Sequence, residues 1–160
     1  MHYLLPIFQW FDKSWIGTTI ADSSWLFPAI EAVHIVALAL LFGAILLLNL
    51  QLLGFRLANK PVVQLARELS PWVFCSLVII LSTGVLLFTS EAMKSYASVP
   101  FQVKMILLFS AIIFHYTIYS SITKKADDNR IHSVWAKLSA IVSILLWTGV
   151  GAAGRGIGFL

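Results

Sequence analysis

Five residues carry chemistry in surroundings that make them conspicuous: Glu31, His34, Lys104, His115 and Arg155. Glu31 and His34 stand three positions apart inside the long apolar run from Trp25 to Phe55, so on a helix they share one side. Lys104, Leu108, Ala111 and His115 follow steps of four, three and four, which places lysine and histidine on one stripe of a second apolar segment. Lipid does not solvate ionisable groups, so at membrane depth they must face protein or water. Two neutral imidazoles on separate helices are a fitting axial pair for the iron of haem b, with His34 and His115 as the ligands. In that arrangement Ala111 leaves room for a flat ring, Lys104 and Arg155 neutralise propionates, and Glu31 accepts a hydrogen bond from the second nitrogen of a ligand.

The elements that must hold these residues follow from composition. Of 160 residues, 59% are apolar and only 11% charged, too greasy for a soluble domain of this size, so the chain reads as one membrane domain over residues 1–160. The single cysteine, Cys75, excludes an internal disulfide, and no CxxC spacing offers a zinc or iron–sulfur site. A net charge of +4 does not point to nucleic acid, because the basic residues lie in short connections between apolar runs.

Residues 1–22 lack the basic start and small-residue cleavage site of a signal peptide. Trp10, Phe11, Trp15 and Ile16 beside Asp12 and Lys13 predict a short interfacial helix. Four spans follow, at about 25–55, 70–90, 101–123 and 134–153, each long enough for a hydrocarbon core roughly 30 Å thick. Asp22, Ser23 or Ser24 caps the first, with Pro28 tolerated in its opening turns, and Ser70–Pro71 opens the second as cap and first helical residue. Backbone groups in lipid must be satisfied within helices, so the expected fold is an all-α, four-transmembrane-helix up-down bundle. Arg56, Lys60, Arg67, Lys124, Lys125, Arg130 and Lys137 fall on one side, against Lys13, Lys94, Lys104 and Arg155 on the other. The positive-inside rule then puts both termini on the periplasmic side of a bacterial inner membrane.

Entry points near Ser24 and Val99 put His34 and His115 roughly 15 and 24 Å deep, whereas opposite ligands of one iron lie about 4 Å apart. A second haem, or ligation across a subunit boundary in a homo-oligomer, is therefore an alternative. Plainer explanations stand beside each assignment. An intramembrane histidine can hydrogen-bond a neighbour's hydroxyl or carbonyl, Lys104 can snorkel to the interface, and Arg155 can be an interface anchor. His2 and His132 are assigned nothing, and Cys75 is assigned to packing. Ser143, Trp147, Gly151, Gly154 and Gly158 form a small-residue stripe suited to a helix contact.

Whole phrases of the chain resemble a family of uncharacterised bacterial four-span membrane proteins: WLFPAIEAVHI, the LLG at 52–54, SPW at 70–72, STGVLLF at 82–88, PFQVKMILL, the FH at 114–115 and LLWTGVGAAGRGIGF. The resemblance implies the topology and the importance of Glu31, His34, Lys104, His115 and Arg155. One departure is visible, since Asn49, Leu50 and Gln51 stand where that family usually has Asp-Leu-Arg. AVHIVALALLFGAILL and FQVKMILLFSAIIFHY are more distantly similar to four-span protoporphyrinogen oxidases and copper-resistance membrane domains, which implies haem and redox chemistry in the outer half. The expected function is a b-type cytochrome passing electrons between a quinone or periplasmic donor and a partner. Its rivals are a haem-dependent oxidase of a small molecule, and a cofactor-free protein that handles copper or protons or serves as a structural membrane subunit of a larger complex. For copper, Met93 and Met105 are the candidate soft ligands beyond the initiator.

Overall fold

The computed structural model describes residues 5–55, 59–125 and 134–157, and in these it is helical with no strand. Two short helices, α1 (Leu5–Asp12) and α2 (Trp15–Asp22), precede α3 (Leu26–Leu53) and α4 (Val62–Ser90). A one-turn helix, α5 (Ala92–Ala97), leads into α6 (Val99–Phe114), which passes through a π-turn at His115–Tyr119 into α7 (Ser120–Lys125). Helix α8 (Val134–Ile157) ends the described chain. Four of these segments, Leu26–Leu53, Val62–Ser90, Val99–Thr123 and Val134–Gly156, are long and apolar enough to cross a membrane. The expected all-α four-helix bundle is present.

Local chemistry explains most boundaries. Ser14 accepts from the Gly17 amide and starts α2, so the expected single interfacial helix is two helices broken at Lys13–Ser14. The N-cap position of α3 is held by Trp25, whose side chain makes no capping bond, and not by Asp22, Ser23 or Ser24 as expected, although Ser23 Oγ accepts from the Leu26 amide at 3.1 Å. Gly54, at φ +104°, closes α3 in a left-handed turn in which Phe55 N–H reaches Leu50 C=O. Ser98 caps α6, with Pro100 in its first turn, where a missing amide hydrogen costs nothing.

The second span starts eight residues earlier than expected. Helix α4 opens after Pro61 and runs straight through Ser70–Pro71, so Pro71 lies inside the helix rather than at its first position. The expected polar connection is thus helical from Val62, because Val62 and Leu65 bury themselves against the bundle and that packing outweighs one missing intrahelical hydrogen bond. The fourth span runs past Ala153 and includes Gly154, Arg155 and Gly156. His2, Arg56, Arg130, His132 and Gly158 lie outside the described residues.

Two apolar layers form the core. One joins Ala37, Leu41 and Ile45 of α3 to Leu77 and Ile80 of α4, Ala111 of α6 and Trp147 of α8. The other, toward the α3–α4 connection, joins Leu48 and Leu52 to Val62, Leu65, Tyr119, Ala136 and Ala140. We call the end bearing α1 and α2 the near end and the end with the α3–α4 connection the far end. At the near end α2 lies so close to α4 that a Cβ on Gly17 would sit 2.5 Å from the Thr89 carbonyl oxygen. Phe8, Phe11, Phe88 and Phe101 stack edge and face around that junction.

Candidate functional site

His34 is buried on α3, in the near half of the bundle. Its Nδ1 lies 2.8 Å from Thr83 Oγ1 on α4. The Thr83 hydroxyl donates its one proton to the Ile79 carbonyl at 2.6 Å, so it can only accept from the ring. Nδ1 therefore carries the hydrogen, and the lone pair is left on Nε2. That nitrogen is buried and has no hydrogen-bond partner among the described residues. The plainer explanation, a histidine bonded to a neighbour's hydroxyl, accounts for one nitrogen and leaves the other poised to bind.

The walls around this ring are small. A Cβ on Gly84 would meet His34 Cε1 at 3.5 Å, an ordinary van der Waals distance, so α4 passes beside the imidazole at this glycine. From α6, Lys104 interacts electrostatically with His34. The lysine stem lies along α8, with Cε and Nζ each 3.5 Å from where a Cβ on Gly154 would be. Its register neighbour Leu107 lies against Gly149, so the Lys104 side chain leans toward the near end, as a snorkelling lysine does. Four helices thus converge on one site, with an imidazole lone pair and an ammonium as its polar groups.

The other expected residues are placed differently. Glu31 is exposed on α3, one turn from the buried His34. Arg155 is exposed near the end of α8. His115 opens the π-turn, where Ser120 N–H reaches back five residues to the His115 carbonyl. Its ring stacks on Tyr119 with centroids 5.3 Å apart and planes inclined by 24°. Cross-helix contacts give the level. Leu107 lies against Gly149 of the antiparallel α8, so His115, eight residues on, is level with the Ala140–Ser143 stretch. Ser143 Oγ in turn accepts from Asn49 Nδ2 of α3 at 3.1 Å. His115 is therefore at the height of Asn49, fifteen residues or about 22 Å along α3 from His34. The fold does not bring the two histidines together.

Several partners were not singled out in the sequence for these roles. Thr83 and Gly84 stand in the sequence only within the phrase STGVLLF, and nothing in their types says that they face a histidine. Tyr119 is one tyrosine among several at a span end. Asn49 carried a usable signal, since an amide deep in an apolar helix needs a partner, and it marks the height at which α3 and α8 are tied. Gln51 Nε2 donates to the Lys60 carbonyl at 3.1 Å. The two amides that replace the charged residues of the Asp-Leu-Arg pattern thus serve as neutral hydrogen-bonding groups. Among the described residues no group of three His, Cys, Asp or Glu could hold a metal ion.

A bundle of four apolar helices around a polar interior site is the class defined by this geometry. The chain belongs to a family of unknown function, DUF6644, whose model matches residues 7–160. No curated protein and no solved structure matches it.

Proposed function

We propose that this chain is a haem b-binding membrane protein, with His34 as the axial ligand, that carries electrons in the bacterial inner membrane. The observation behind the reading is His34 Nε2, buried and without a hydrogen-bond partner among the described residues, while Nδ1 is bonded to Thr83. A hydrogen-bonded Nδ1–H opposite a buried, unpaired Nε2 is the arrangement of iron-ligating histidines, whose second nitrogen is oriented by a neighbouring acceptor. Lys104 adds to it, because an ammonium opposes a bare metal cation beside the imidazole and favours a cofactor that carries carboxylates. Bound there, haem would supply one-electron chemistry, while the chain supplies the ligand, the burial and the local charge.

The sequence expectation that His115 is the opposite ligand does not fit a single chain, given the axial distance between the two rings. That observation favours a second reading, in which the sixth position of the iron is open and the protein oxidises a small molecule, as the distant resemblance to protoporphyrinogen oxidases implies. Quinone or a periplasmic donor as redox partner, homo-oligomerisation, and a periplasmic location of both termini belong to the same proposal.

Colour is the decisive test. Protein purified from haem-replete cells is expected to show a Soret band that is lost in His34→Ala and kept in His115→Ala. A colourless wild-type protein, or a His34→Ala variant with unchanged pigment, overturns the reading. Carbon monoxide then separates its two forms, since binding to the reduced protein marks an open iron and resistance marks two fixed axial ligands.

A further inference from the structure

The near end of the bundle holds an open cleft of about 310 Å³. Ala21 of α2 and Ser24 of the α2–α3 turn form its rim, Phe27 and Pro28 of α3 one wall, and Ser90 and Glu91 at the end of α4 the other. The close contact at Gly17 holds α2 against Thr89, the residue before Ser90, and so fixes the rim. Trp15 and Ile16 of α2 and Trp25 of the turn are exposed, as side chains at a membrane–water boundary are. The cleft therefore opens where lipid meets water.

Register ties this cleft to His34. Phe27 precedes His34 by seven residues on α3, and Ser90 follows Thr83 by seven on α4, so the two walls continue the helix faces that meet in the His34–Thr83 contact. The cleft thus lies on the α3–α4 seam two turns, or about 10 Å, to the near side of that contact. Its lining also selects a class of ligand. Phe27 and Pro28 offer apolar surface. The Ser90 hydroxyl gives its proton to the Leu87 carbonyl at 2.9 Å and keeps only lone pairs, and the Glu91 carboxylate can only accept. Lys94 Nζ already stands 3.7 Å from that carboxylate, so a second cation is opposed there, while an anion would face the carboxylate itself. What fits is a neutral, mostly apolar molecule whose hydroxyls donate.

We infer that this cleft binds the ring of a membrane hydroquinone, with its hydroxyls donating to Glu91 and Ser90, its ring against Phe27 and Pro28, and its apolar tail in the lipid. Among neutral donors, a hydroxylated ring on an apolar tail matches a cleft that opens at the lipid boundary. That the ring is an electron donor rests on the haem reading above. Its binding uses none of the residues proposed to hold haem and is tested without reference to pigment.

The probe is a short-tailed benzohydroquinone carrying a diazirine on the tail carbon next to the ring, photolysed with the full chain in phosphatidylcholine nanodiscs. Adducts mapped by mass spectrometry are expected within residues 21–28 and at Ser90 and Glu91. The unlabelled hydroquinone is expected to compete at least about tenfold better than its dimethyl ether, which cannot donate a hydrogen bond. Ser24→Trp fills the cleft from an exposed turn position and is expected to lower this labelling at least about tenfold with the melting point kept. Labelling that simply follows lipid exposure along the bundle, equal competition by the ether, or unchanged cleft labelling in Ser24→Trp overturns the inference. Should Ser24→Trp fail to accumulate, Ala21→Trp at the exposed rim decides by the same criterion. A colourless protein labelled in the cleft sinks the haem reading alone, and a pigmented protein not labelled there sinks this inference alone.

Discussion

His34 and Thr83 form a pair whose meaning depends on one proton. Because Thr83 donates to Ile79, the imidazole must donate to Thr83, and the reactive lone pair is set on the far nitrogen. Thr83→Val keeps the shape and removes the acceptor, leaving the ring less firmly oriented. If His34 binds haem, this variant is expected to retain it about ten- to a hundredfold less tightly, the usual cost of losing a group that orients a metal ligand. Cofactor loss to apomyoglobin measures this, and an unchanged rate would show that Thr83 has no orienting role. His34 itself was legible in the sequence, because an ionisable residue inside an apolar run of helical length is rare enough to mark a site. Its partner was not, since a threonine in a transmembrane helix most often bonds its own preceding turn, as Thr83 also does through Ile79.

At the scale of elements, glycines decide how closely the helices approach. Gly17 places α2 against the end of α4, where any Cβ would meet the Thr89 and Phe11 carbonyl oxygens at 2.5 and 2.9 Å. These are backbone atoms and cannot swing aside. Gly17→Ala is therefore expected to destabilise the near end by about 1–3 kcal/mol, the range for overpacking a tight contact. The readout is thermal unfolding in detergent together with faster proteolysis between α2 and α3, and an unchanged melting point would disprove the close packing. Gly54 raises a different question, one of conformation. Nothing lies within 4 Å of the place a Cβ would take there, yet its φ of +104° disfavours any side chain. Gly54→Ala is expected to cost about 1 kcal/mol, visible as a lower melting point with no change in packing. Sequence reasoning placed three of the four long helices within a few residues and missed the start of α4. A serine–proline pair reads as a helix start, but here tertiary burial of Val62 and Leu65 extends the helix on its N-terminal side.

Among the described residues, the interior of the bundle divides into a near half that holds His34 and Lys104, an apolar middle, and a far half that buries Asn49, Tyr119 and Ser143. An even number of spans returns the chain to the side on which it started. Reporter fusions at the N-terminus and C-terminus are expected to report the same compartment, and the excess of basic residues at the far end predicts that compartment to be the periplasm. Opposite signals from the two fusions would exclude four crossings.

The sequence by itself determined the membrane class, the number of long helices, and the presence of ionisable residues that lipid would not tolerate. Apolar length and intrinsic charge are local properties, and they survive whatever the packing. Tertiary structure decided which polar atoms meet: it paired His34 with Thr83, set Lys104 along Gly154, tied Asn49 to Ser143, and put about 22 Å of helix between the heights of the two histidines. Helix register across a bundle depends on the fit of small residues on neighbouring helices, so two residues with the same chemistry and similar flanks came to rest in separate layers.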